Sequence, residues 1–277
     1  MVLKLQKNRF LFEDLVKRDF KKKYKGTVLG MIWSLLSPLL TLLVMWVLFG
    51  GFFGDGVNNY TTYLFCGNLV FSYFNESCTQ GMTSLRNNAD IFTKIKVPKY
   101  LFLLAKNVQT LINFALTLVV FLLFCLLDGV TFTWKFLLLV YPVACLLLLN
   151  VGVGLILSAL FVFFRDMQYL WTVFAQLLMY ASAIFYTTDG FSPQLQGLLH
   201  INPVYLCITY FRQIVLYGNV PGLWFHLLML FFAVLSTLLG CLIYKKYNQK
   251  FLYYLERGKN HDSGSKECVR PLYAWGL

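Results

Sequence analysis

The chain has 277 residues, of which 58% are apolar and only 13% charged, with a mean hydropathy of +0.65. Soluble globular chains carry about 25% of their residues as Asp, Glu, Lys and Arg, so a soluble domain is excluded and a polytopic membrane protein is expected. A formal net charge of +12 would suit a nucleic-acid binder only if the cations formed one stripe, and their distribution along the chain argues against that.

From Leu11 to Tyr24, the residues Leu11, Phe12, Leu15, Val16, Phe20 and Tyr24 make two i,i+4 rows on one stripe. Lys17, Arg18, Lys21, Lys22 and Lys25 take the other side. The pattern predicts a basic amphipathic helix lying flat at a membrane surface, apolar face toward lipid. No cleaved signal peptide is expected from so charged an opening. Residues 28–53 carry no charge. Since roughly 20 apolar residues cross a ~30 Å hydrocarbon layer, a first span is expected over 28–49, kinked at Pro38.

Further spans are expected over 60–83, 108–127, 136–164, 169–186 and 223–244, making an all-α integral membrane fold of six helices. A polar, basic segment occupies 84–107, with a short helical pattern from Asn88 to Lys96 that stops before Pro98. Asp128-Gly129 marks a tight turn, and Arg165-Asp166 interrupts the apolar run. Residues 187–222 contain two apolar pieces too short to span, punctuated by Pro193, Pro203 and Pro221. They read as short re-entrant outer helices. The chain thus divides into an interface helix (1–27), a six-span domain (28–244) and a basic tail (245–277).

With the N-terminus in the cytosol, 22 of the 24 Lys and Arg residues fall on cytosolic segments and only Lys135 and Arg212 outside. Both termini are therefore expected in the cytosol. The charge reflects topology and headgroup contact rather than nucleic-acid binding.

Chemistry-bearing patterns are few. The seven cysteines include no CxxC pair, and His200, His226 and His261 lie far apart, so no metal site is signalled. No GxxxxGK[ST] loop is present, so this chain cannot cradle a nucleotide in the P-loop manner. Glu76 stands out as an ionisable group inside the second span, a functional candidate by its placement. The 84–107 segment, a short helix held between two spans, suits a docking lever for a moving partner. Aromatic residues make up 18% of the chain. Tyr60, Tyr63, Phe71 and Tyr73 are candidates to line a path, because sugar C–H faces stack on aromatic rings.

Several groups of residues together resemble the membrane subunit of ABC-2 type exporters, in particular the branch that moves lipid-linked polysaccharide, O-antigen or teichoic acid. They are Leu15, Arg18-Asp19, Lys21, Tyr24, Lys25, Thr27, Leu29-Gly30, Trp33 and Pro38; then Asn88, Ile91, Lys94 and Pro98; then Phe164-Arg165-Asp166; and finally Asn202-Pro203 with Arg212. The likeness covers about residues 9–250. It implies a homodimer in a bacterial cytoplasmic membrane, served by two separate ATPase subunits that bind ATP and Mg, with no cofactor and no enzymatic activity on this chain. It implies that Arg18, Lys21 and Tyr24 meet the lipid-linked headgroup, and that Arg86, Asn88, Ile91, Phe92 and Lys94 couple to the ATPase. Arg165 and Asp166 would form a cytosolic ion pair, and Asn202, Pro203 and Arg212 an outer gate. An ABC-2 exporter of a small amphiphile, a drug or lipid, shares this architecture and is the alternative. An enzyme acting on lipid-linked sugars would need paired carboxylates or a His/Asp cluster at one face, and the acids here are scattered.

Overall fold

The structure, a computed structural model, describes residues 9–26, 29–53, 59–94, 97–188 and 190–247, the side chains of Tyr24, Met31, Phe52, Phe53 and residues 92–94 excepted. Every regular element among the described residues is helical. In chain order these are α1 (Arg9–Tyr24), a 3-10 turn (Gly30–Ile32), α2 (Trp33–Phe53), α3 (Tyr60–Thr83), a 3-10 turn (Arg86–Asn88) and α4 (Ala89–Lys94). Then come α5 (Tyr100–Leu127), a 3-10 segment (Trp134–Leu139), α6 (Val140–Phe163), α7 (Met167–Tyr180), α8 (Pro193–Leu199), α9 (Pro203–Val215) and α10 (Leu223–Tyr247).

Among the described residues, four helical stretches are long and apolar enough to cross a membrane: residues 33–51, α5, residues 134–163 and α10. The other two expected spans differ from that standard for separate reasons. α3 has 24 residues, about 36 Å of helix, but a row of Asn, Ser, Thr and Glu side chains lowers its apolar character. α7 has only 14 residues, about 21 Å, and the remainder of the expected fifth span, residues 181–186, is turn and bend.

α3 tolerates its polar row because protein surrounds it. It is wrapped by α2, α5, α6, α7 and α9, and its side chains from Tyr60 to Met82 form the spine of the larger apolar core. A polar group at that depth needs a protein or water partner rather than hydrocarbon. A second, smaller core gathers Leu15 of α1, Leu85, Leu101, Phe102 and Leu103 around the start of α5, and Leu155, Ala159 and Tyr244 from α6 and α10. Leu15 is buried there, and Leu11, Phe12 and Val16 pack against the same cluster. The apolar stripe of α1 therefore seats on protein instead of lying on lipid. The stripe alone carries no information about which apolar surface covers it.

α6 and α10 form the tightest helix pair. A Cβ added to Gly152 would collide with the backbone of Ser236 and Thr237, and one added to Gly240 would lie 2.6 Å from the Gly152 carbonyl oxygen. Thr237 Oγ1 donates across the pair to the Leu148 carbonyl at 2.9 Å. Helices in lipid associate through such close backbone contact and interhelical hydrogen bonds. Gly152→Leu is expected to force α6 from α10 at a cost of at least about 1–3 kcal/mol. Detergent-solubilised protein should then melt lower and elute less uniformly than Gly197→Ala, whose added Cβ meets open space.

Candidate functional site

A cleft of about 700 Å³ is walled by α2, α3 and α5, with Lys23 of α1 also in its lining. Its polarity follows from three sequence stripes at helical spacing. α3 contributes Asn68, Ser72, Asn75, Glu76 and Thr79; α5 contributes Thr110, Asn113 and Thr117; α2 contributes Ser34, Ser37 and Thr41. Steps of three and four residues put each set on one helix face, and the three faces converge. From Gln80 to Asn68 the α3 wall rises about 18 Å. The stripes were readable in the sequence but are individually weak, since a Ser or Thr every turn is common in membrane helices.

Lys23 and Glu76 carry the only formal charges among the described lining residues. They are bonded to each other, Nζ to Oε1, at 2.5 Å, and Asn113 Nδ2 reaches the same Glu76 oxygen at 3.5 Å. Glu76 is thus one half of a pair bridging α1 and α3 at the cleft's mouth. At the inner end Asn68 is 3% exposed. Its Oδ1 accepts from Ser72 Oγ at 3.2 Å, while its buried Nδ2 donates to nothing. Tyr73 and Phe114 line the wall with ring centroids 4.6 Å apart, and Trp33 adds a third aromatic surface. Among the four aromatics expected on a path, Tyr73 alone lies on this cleft. Tyr60 and Tyr63 are buried with their hydroxyls donating to the Phe185 and Tyr186 carbonyls at 2.8 and 2.7 Å, and Phe71 is buried in the core.

At the end of the molecule that carries α1, a charged knot joins three elements. Asp19 is 4% exposed and receives Arg18 Nη2 at 2.8 Å and Lys106 Nζ of α5 at 3.2 Å. Arg18 Nη2 also donates to Asn88 Oδ1 at 2.7 Å, and Asn88 Nδ2 donates to the Ser84 carbonyl at 2.8 Å. Asn88 is buried in this role. Arg86 lies over the Phe161 ring, and Ile91 packs on the smaller core. Lys21 is exposed, two residues before Lys23. The side chains of Tyr24, Phe92 and Lys94 lie outside the described residues, as does the tail beyond Tyr247. Arg165 and Asp166 are exposed in the turn between α6 and α7, where the Asp166 carbonyl accepts from the Tyr169 and Leu170 amides.

At the opposite end, α8 and α9 start on side-chain caps with proline in the first turn. Ser192 Oγ accepts from Leu195 N, and Asn202 Oδ1 accepts from Val204 N and Tyr205 N. Asn202 Nδ2 donates to Ser182 Oγ at 2.9 Å, tying α9 to the turn after α7. Pro203 is the first residue of α9. Arg212 is 5% exposed, and its guanidinium donates to the Ala183 and Ile184 carbonyls at 2.8 and 2.9 Å. It also stacks 3.4 Å over the Tyr63 ring. Ala183 sits at φ 49°, a strained value for a residue with a Cβ, and Arg212 holds its carbonyl in place.

Removing one partner from a buried charge is expensive. Asp19→Ala should cost about 3 kcal/mol by leaving Lys106 without its counter-charge, read as a lower melting temperature and faster proteolysis between α1 and α2. Arg212→Met keeps the apolar bulk but abandons two buried carbonyls. It should destabilise by about 2–4 kcal/mol and open residues 181–186 to hydrogen exchange, with α1 unaffected.

Residues 11–216 match the family model described as ABC-2 type transporter. Among similar proteins, the O-antigen export system permease protein RfbA of Klebsiella pneumoniae is 26% identical over 91% of this chain and 98% of its own length. A protein of the same name from Myxococcus xanthus is 28% identical over 80% of this chain and 86% of its own. The polysialic acid transport protein KpsM of Escherichia coli is 22% identical over 87% of this chain and 94% of its own. With most of its length matched and four helices fit to cross a membrane, the chain belongs to the ABC-2 type transporter family of membrane permeases.

Proposed function

We propose that this chain is the permease subunit of an ATP-driven exporter that carries a lipid-linked polysaccharide or teichoic acid across a bacterial cytoplasmic membrane. The observation that carries the reading is the cleft. Hydroxyl and amide groups on three helices, interleaved with Trp33, Tyr73 and Phe114, offer the hydrogen bonds and flat apolar faces that a sugar chain uses. The names borne by the similar proteins, O-antigen export permease and polysialic acid transport protein, agree with it.

On this reading α3 and α7 complete six spans, α8 and α9 dip into the outer face, and both termini lie in the cytosol. Two copies of the chain form the path, and two ABC ATPase subunits supply the energy with their own ATP and Mg. The short helix α4 and the turn before it take the push of the ATPase. Asn88 passes that displacement to Arg18, and α1 carries it to Lys23 at the cleft mouth. Two contacts support this route: Arg18 Nη2 on Asn88 Oδ1, and Lys23 on Glu76. Lys21, exposed beside Lys23, meets the phosphate of the lipid carrier as the polymer end is admitted.

Purification of the tagged protein from native membranes in mild detergent should bring with it a stoichiometric P-loop ATPase, lost on substituting Ile91 and Lys94. Purification of intact dimers alone would overturn the reading, and export of a small amphiphile with no polymer would replace it. In reconstituted vesicles Asn88→Ala is expected to lower polymer export about tenfold, equivalent to roughly 1.4 kcal/mol of lost coupling, while ATP hydrolysis continues. Glu76→Gln, which removes the negative charge facing Lys23, should change export without loss of the ATPase. Unchanged export would remove the Lys23–Glu76 pair from the route of transmission.

A further inference from the structure

We infer that the polymer segment passing through this cleft is an uncharged, hydroxyl-rich sugar chain, and that Ser72, Asn113 and Thr117 select it. The inference rests on the polysaccharide reading above and narrows it. Among the described residues the cleft lining is electrically balanced: its one cation, Lys23, is bonded to its one anion, Glu76. Every other polar side chain among the described lining residues is a neutral amide or hydroxyl.

A polymer bearing a carboxylate or phosphodiester on each repeating unit would bring charge after charge into a site with no counter-charge for any of them. Burying a charge without a partner is strongly unfavourable. A neutral sugar hydroxyl both donates and accepts, as do the Asn and Ser side chains it would face.

The charges that are present lie elsewhere. Lys21, Lys22 and Lys25 are exposed, next in sequence to Lys23, and are not among the described lining residues. Cations flanking Lys23 suit an anionic carrier group, and neutral walls suit the chain that follows it. The same positions, read together, separate recognition of the anchor from recognition of the polymer.

The test compares surface polysaccharides of the bacterium that encodes the chain with those of a strain lacking it. The polymer that disappears is analysed for uronate, sialate and phosphodiester. A repeating unit free of all three is the expected result. A repeating unit carrying any of them overturns the inference while leaving the polysaccharide reading intact. Loss of no surface polymer overturns both. Ser72→Ala provides the second arm. Ser72 is exposed on the cleft wall, so removing its hydroxyl is expected to leave folding and complex yield unchanged while the rate of polymer export falls about fivefold or more. Wild-type export from Ser72→Ala would take the selection away from this cleft.

Discussion

Asp19 is a carboxylate almost wholly withdrawn from water, and such a group holds its charge only where cations answer it. Two do, from different elements: Arg18 one residue away and Lys106 on α5. The consequence is positional. α1 cannot slide along the membrane surface as a free amphipathic helix would, because moving it strips Lys106 of its partner. The apolar stripe of α1 and the knot reinforce each other, Leu15 entering the small core one helical turn before Asp19. Through Arg18 and Asn88 the same knot fixes the turn that precedes α4. Three parts of the chain that contact the cytosolic side on the topology proposed here are therefore one mechanical unit.

The far end solves the opposite problem with different chemistry. Arg212 is a buried cation, and it is satisfied by backbone carbonyls of residues 183 and 184 and by the face of Tyr63. Carbonyls freed by the break after α7 need donors, and a planar guanidinium provides several in fixed directions. The break, the left-handed Ala183 and the arginine belong together. Gly67 belongs with them, since a Cβ there would approach Arg212 Nη2 to 3.0 Å. α3 links the two ends. Tyr63 and Gly67 lie near its start, and Ser84, which accepts from Asn88, lies just past its last residue.

Length, apolar runs and proline positions made most of the helices legible in the sequence. The first, third, fourth and sixth expected spans correspond to stretches fit to cross a membrane, and the caps at Ser192 and Asn202 sit where their residue types and the following prolines indicate. What sequence could not supply was the identity of each surface's cover. The α1 stripe reads the same whether lipid or Leu101 covers it. Tyr60 and Tyr63 read as interface or path aromatics until their hydroxyls find the carbonyls of 185 and 186, more than a hundred residues away. Glu76 reads as a lone acid because Lys23 is 53 positions distant. The cleft itself escaped notice for a related reason: three modest polar stripes on separate helices become one feature only when α2, α3 and α5 are assembled.

The assembly gives the cleft walls unequal rigidity. α3 is the central, buried helix, and α5 is held near one end by Asp19–Lys106 and by the next residue, Asn107, which accepts from Ser77 at 2.7 Å. Among its described side chains α2 has a single buried one, Leu42, and exposes Leu40, Leu43, Val44, Val47 and Leu48. Pro38 lies in the cleft-facing part of α2 and removes a backbone donor there, so the helix bends more easily at that point than elsewhere. A wall that is loosely held and hinged beside two that are fixed lets the cleft change width without disturbing the core. Such a change requires the least protein rearrangement if the moving wall faces lipid or a second subunit, and the exposed apolar face of α2 is suited to either. The polar residues Ser34, Ser37 and Thr41 travel with that wall, so widening the cleft adds hydrated surface facing the amides of α3 and α5 rather than opening a dry gap.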